Sequence, residues 1–157
     1  MQIIHTMQRE DHHCAVASIV MVTGAPYEVV LETMDVLDDF DGYGMSNAEL
    51  ASWLTGWFRE ADPGNPPWKY KRLHPYRAWS EYDLATWPRA PHVVSIRERT
   101  KGPCHVVVVH NARVFDPEMK HPRGLASYER IGFRLIGVVG IPGVLQAAQE
   151  PPFREAP

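Results

Sequence analysis

Cysteine is scarce in this sequence, with two residues among 157, Cys14 and Cys104, and no Cys-x-x-Cys pair. Two are too few for a disulfide scaffold, and a reducing compartment keeps both as thiols, so a reactive thiolate is permitted. Long apolar runs are missing as well. No stretch approaches the roughly 20 residues that a membrane-spanning helix needs. Met1-Gln2-Ile3-Ile4-His5-Thr6 also lacks the basic segment and apolar run of a secretory signal. A cytoplasmic protein without a membrane partner is the expectation. Internal repeats and long low-complexity tracts are absent too.

A strong net charge is the third absence, the formal value being -3. Its distribution is uneven: residues 1–66 carry eleven acids against two arginines, and residues 67–157 carry fourteen basic residues against eight acids. The basic half could attract nucleic acid. Its lysines and arginines are spread out with no recognised binding motif, so a solvated face is the better reading and no nucleic-acid partner is expected. With 45% hydrophobic residues, the length suits one core. A single domain over residues 1–145 is expected, followed by a loose Pro-rich tail over residues 146–157. The oligomeric state is left open.

What is present divides into a helical front and a stranded back. Residues 13–23 are apolar almost all round and end at Gly24, which predicts a buried helix with a glycine cap. From Tyr27 to Leu37, Val29, Val30, Met34 and Leu37 recur at helical spacing among acids, an amphipathic surface helix, and residues 38–45 read as a loop. Ser46-Asn47-Ala48-Glu49 has the form of a capping box, with Leu50, Trp53, Leu54, Trp57 and Phe58 as the apolar face behind it. Beyond a Pro-rich connection at residues 61–67, Trp68 to Leu73 alternates weakly. Residues 92–96, 105–109, 114–115 and 133–141 read as strands, bounded by Pro or Gly and expected to be antiparallel. The fold class is α+β, with a cleft between the layers. Trp53, Trp57 and Phe58 are expected in the core, and packing is also the favoured role for Trp68, Tyr70, Trp79, Tyr82 and Trp87.

Cys14 falls at the start of the buried helix. Unpaired backbone N–H groups and the positive end of the helix dipole favour thiolate there. A histidine within reach can take the thiol proton and later protonate a leaving group, and His105, on a predicted strand, suits that role. Asp116 suits the orientation of its ring. With a turn centred on His110 and Asn111, residues whose numbers sum to 221 oppose each other, which pairs 105 with 116 on one face. Asn111 is the second choice. Gln8 is the candidate oxyanion donor, its amide acting together with the Cys14 N–H.

The segment Gln8-Arg9-Glu10-Asp11-His12-His13-Cys14-Ala15-Val16-Ala17, with Cys104-His105-Val106-Val107-Val108 and Val114-Phe115-Asp116-Pro117, resembles the papain-like cysteine peptidases. More specifically it is similar to the C39-like peptidases related to bacteriocin leader-processing domains. The resemblance spans most of residues 1–142. It implies a papain-like fold, a Cys14 nucleophile, a His105 base, an Asp116 orienter and a Gln8 oxyanion donor. It further implies a peptide or protein substrate, cut in some relatives after a double glycine.

Other readings use the same atoms. The thioester intermediate of such a site can pass its acyl group to an amine, which makes a transferase. Ala15, where the family usually has glycine, motivates a binding module on a retired peptidase fold. Zinc held by Cys14, Cys104, His12, His13 and His105 is disfavoured, because Cys104 and His105 are neighbours on a strand and point to opposite faces. A Cys14 to Cys104 disulfide meets the same objection, so neither a metal nor another cofactor is expected. His5, His74, His92, His110 and His121 are expected to be surface or structural groups.

Overall fold

Ten residues without a charge, Cys14–Thr23, form helix α1. Gly24 closes it with φ 73°, the left-handed conformation that glycine adopts without a Cβ penalty, and its N–H bonds the Val20 carbonyl at 2.8 Å. Helix α2, Tyr27–Asp35, follows, and then α3, Asn47–Ala61. The Ser46 hydroxyl caps α3 by accepting the Glu49 N–H at 3.2 Å, while the Glu49 carboxylate receives the Ser46 N–H, as the capping box requires. These features belong to a computed structural model that describes residues 2–35, 45–78, 89–98, 104–128 and 130–148, with the side chains of residues 34–35 and 74–78 excepted. The expected loop at residues 38–45 lies almost wholly outside the described residues, as do Trp79, Tyr82 and Trp87.

The back half forms strands β1 (Lys69–Ala78), β2 (His92–Arg97), β3 (His105–His110), β4 (Arg113–Phe115), β5 (Arg123–Gly124) and β6 (Arg134–Gly140), and a short helix, α4 (Pro142–Ala147). The strands make one antiparallel sheet in the order β1-β6-β2-β3-β4-β5. The architecture is therefore α+β, with the helices first and the sheet second. Both faces of the sheet are covered, which explains valine runs without polar alternation. One face buries Val93, Val106, Val108, Phe115 and Val139 with Val16, Ile19, Leu50 and Leu54 of α1 and α3. The other buries Val94, Ile96, Val107, Val109 and Val138 with Leu125, Tyr128 and Val144.

Two expectations need correction. The turn between β3 and β4 is Asn111-Ala112, both at positive φ (50° and 60°), so facing residues sum to 223, as in Val108 with Phe115 and His110 with Arg113. Two left-handed residues in a two-residue loop match the twist of the flanking strands. Asp116 is thus one step past β4 and opposes Val107 when the register is continued, so it is a diagonal neighbour of His105. The sum moved by two, so both side chains still share a face; a change of one would have separated them. The second correction concerns residues 146–148. Helix α4 carries order through them, and Ala148 is fully buried, while the rest of the expected tail lies outside the described residues.

The aromatics expected to pack do so where they are described. Trp53 stacks on Trp57 at 5.5 Å and Phe58 on Trp68 at 5.7 Å. Tyr70 lies across Gly137, where a Cβ would fall 2.1 Å from its Cε2 atom.

Candidate active site

Three chain segments meet at one end of the sheet. His105 opens β3, Asp116 follows β4, and Cys14 opens α1, which packs against β3. The N-terminal segment is tied to the same place. The Gln8 N–H bonds the Pro117 carbonyl at 2.9 Å, and His5 Nε2 donates to the Met119 carbonyl at 2.6 Å. His13, the residue before α1, gives no side-chain cap. No acceptor among the described residues takes the Cys14 N–H, so it points an unused donor from the helix start.

The His105 imidazole is buried against a carboxylate. Nε2 lies 2.8 Å from Asp116 Oδ1, with the two side chains 8% and 1% exposed. The half-buried Cys14 sulfur is close enough to the ring to favour its protonated form. Nε2 is held by the carboxylate, and Glu118 Oε1 stands 3.9 Å from Nδ1. Burial pushes the imidazolium toward deprotonation, but hydrogen bonds to Asp116 and Cys14 and their charges outweigh it, raising the pKa to about 9.

Asp116 is the most heavily bonded group of the site. Oδ1 accepts from His105 and from the Glu118 N–H at 2.9 Å. Oδ2 accepts from the Tyr128 hydroxyl at 2.9 Å and from Arg130 at 3.2 Å. Burial opposes ionisation, yet these donors and the His105 charge prevail and hold the carboxyl at about 2. Arg130 also reaches Glu118 at 2.7 Å, which links the exposed acid to the buried one. Burial beside the Asp116 charge in turn pushes the Tyr128 phenol well above its usual range, so it stays a hydrogen-bond donor. The sequence analysis missed Tyr128, Arg130 and Glu118. Asp-Pro-Glu at residues 116–118 carries a signal for the Glu118 contact, since an Asp side chain commonly accepts an N–H two residues on. Tyr128 and Arg130 sit in irregular chain, where no periodicity marks them.

Gln8 reaches the site differently from the expectation. Its Nε2 donates to the Glu10 and Asp11 carbonyls, each at 3.0 Å, which engages both amide hydrogens. Its Oε1 is buried with no partner among the described residues. The side chain thus shapes the loop before Cys14 while its backbone is fixed to Pro117. Asn111 is exposed in the hairpin turn and does not join Asp116 as a ring orienter.

Cys104 is not bonded to Cys14. Both are free thiols, and the Cys104 sulfur accepts from Arg97 Nη2 at 3.0 Å. The five zinc donors considered from the sequence do not form one cluster among the described residues: His12 and His13 gather with Glu10, His105 with Asp116 and Glu118, and neither cysteine joins them. His105, Asp116 and Glu118 do cluster, but four donors already occupy the Asp116 oxygens, which makes the group a poor metal cage. Of the remaining histidines, His92 is buried, and desolvation lowers its pKa to about 4; His121 is exposed. The His74 side chain lies outside the described residues. No described helix is long and apolar enough to cross a membrane. The sequence matches no protein-family model and no curated protein.

Proposed function

We propose that the protein is a papain-like cysteine hydrolase, acting on peptide bonds through a thioester on Cys14. One observation carries the reading above the others: a single buried imidazole bonds a buried carboxylate at 2.8 Å, with a half-buried cysteine sulfur near enough to raise its pKa. That is the relay a thiol nucleophile requires. The order of helices before an antiparallel sheet supports a papain-like arrangement, and two free thiols suit a cytoplasmic location.

The Cys14 thiolate attacks the substrate carbonyl carbon, a C–S bond forms, and the π electrons move to oxygen. The Cys14 N–H receives that oxyanion, and a Gln8 amide hydrogen joins it by leaving the Glu10 or Asp11 carbonyl. Collapse breaks the C–N bond as the His105 imidazolium gives its Nδ1 proton to the departing amine. A water then returns a proton to Nδ1, its oxygen attacks the thioester, and the acid leaves with the thiolate restored. Asp116 stays ionised throughout and holds the ring in the orientation that aims Nδ1 at sulfur.

The test is incubation of the reduced protein with a proteome-derived peptide library, with new amino termini tagged and sequenced. New termini that vanish in Cys14→Ala are expected. Cleavage that survives Cys14→Ala, or a wild type giving neither cleavage nor a Cys14 acyl adduct, overturns the hydrolase and leaves partner capture without turnover as the better account.

A further inference from the structure

Away from the His105 relay, the loop before α1 gathers a second set of donors. Glu10 Oε2 lies 3.6 Å from His12 Nε2 and 3.7 Å from His13 Nε2. All three ligand atoms fall within 4.8 Å of one another. Donors around a tetrahedral zinc, with bonds of about 2.0–2.1 Å, stand roughly 3.3 Å apart. Each contact with Glu10 therefore needs to close by only a few tenths of an ångström.

The surroundings are arranged as a metal site arranges them. His13 Nδ1 is 3.0 Å from the Tyr27 hydroxyl, whose oxygen also accepts the Arg9 N–H at 3.2 Å. In the tautomer whose Nδ1–H donates to that oxygen, the Nε2 lone pair faces the Glu10 side, and a bound metal would select that tautomer, with the outer hydrogen bond typical of metal-binding histidines. The loop is held before any ion arrives: the His13 N–H bonds the Glu10 carbonyl at 3.0 Å, and Gln8 grips the Glu10 and Asp11 carbonyls. The His13 side chain is 6% exposed, His12 34% and Glu10 63%, so an ion has a path in and room to keep water.

We propose that Glu10, His12 and His13 bind a divalent transition metal of the zinc class, with water completing the coordination. Two imidazoles and one carboxylate suit zinc, cobalt or nickel, whereas magnesium and calcium favour oxygen donors. The proposal does not depend on the hydrolase reading, and it uses neither Cys104 nor His105.

The experiment is calorimetric titration of the untagged full chain with Zn2+, and visible absorption with Co2+. One saturable equivalent is expected. Glu10→Gln and His12→Ala, both at accessible positions, should each weaken binding roughly tenfold or more, and Tyr27→Phe roughly tenfold through its support of His13. Cys104→Ala and His105→Ala should bind as the wild type does. Absence of saturable binding, which a carboxylate merely paired with imidazolium predicts, overturns the proposal. So does wild-type affinity in both Glu10→Gln and His12→Ala, or loss of binding in His105→Ala alone.

Discussion

Replacing Asp116 by asparagine removes the charge behind the His105 ring and keeps the side-chain shape. The native imidazolium holds its proton up to about 9 against an ordinary 6.5, which corresponds to about 3 kcal/mol at 1.36 kcal/mol per pKa unit. The depressed Asp116 carboxyl is the same attraction seen from its partner, so it counts once. The sign follows from which state holds the proton. Below about 6.5 folded and unfolded chains both carry it, and the contribution is complete. Between about 6.5 and about 9 only the folded chain keeps it, so stability falls as pH rises. On the acid side the same contact is lost as pH drops from 3.8 toward about 2. In Asp116→Asn, burial is opposed only by Cys14 and the more distant Glu118 carboxylate, so the His105 pKa should fall and the alkaline loss of stability should flatten. Urea unfolding at pH 6 and pH 9, with imidazole resonances followed by NMR, measures both effects. A wild-type His105 that titrates near 6.5, or an Asp116→Asn variant with an unchanged pH slope, refutes the reasoning.

Tyr128→Phe deletes a donor to a buried carboxylate and should cost about 2 kcal/mol in urea unfolding; a loss within the scatter of surface substitutions contradicts it. Gly137→Ala places a Cβ 2.1 Å from Tyr70 Cε2 and should destabilise by roughly 2 to 3 kcal/mol. That cost should shrink in a Tyr70→Ala background, where the clashing ring is gone. Ala112→Gly relieves a left-handed alanine at φ 60° and should stabilise by about 1 kcal/mol, read as a higher thermal midpoint.

Local chemistry made much of the front half legible. Gly24 ends α1, and the Ser46 and Glu49 side chains start α3, because caps are written in residues adjacent to the backbone they satisfy. The cores of β2, β3 and β6 could be read from their Val and Ile runs. The hairpin register could not, because it turns on Ala112, a residue with no intrinsic preference for positive φ. Sheet order was equally hidden: β6 inserts between β1 and β2, a choice made by burial across the whole fold. The short α4, with a proline in its first turn, and the two-residue β5 have too little sequence to show a period.

At the site, legibility followed chain order. Cys14, His105 and Asp116 could be named from residue type and position; the structure shows His105 bonded to Asp116 and Cys14 opening the helix that packs against the His105 strand. Gln8 could be named but not its orientation, which is set by the Glu10 and Asp11 carbonyls two and three residues on. Tyr128 and Arg130 converge on Asp116 from a segment whose path only packing determines.

The central claim is that the His105 ring makes the Cys14 sulfur a nucleophile. Alkylation by iodoacetamide near neutral pH, with each cysteine quantified by mass spectrometry in the wild type, His105→Ala and Cys104→Ala, tests it most directly. The account predicts that Cys14 reacts well ahead of Cys104, that His105→Ala abolishes this lead, and that Cys104→Ala preserves the Cys14 rate. Equal labelling of both cysteines, or a Cys14 rate indifferent to His105→Ala, would contradict it.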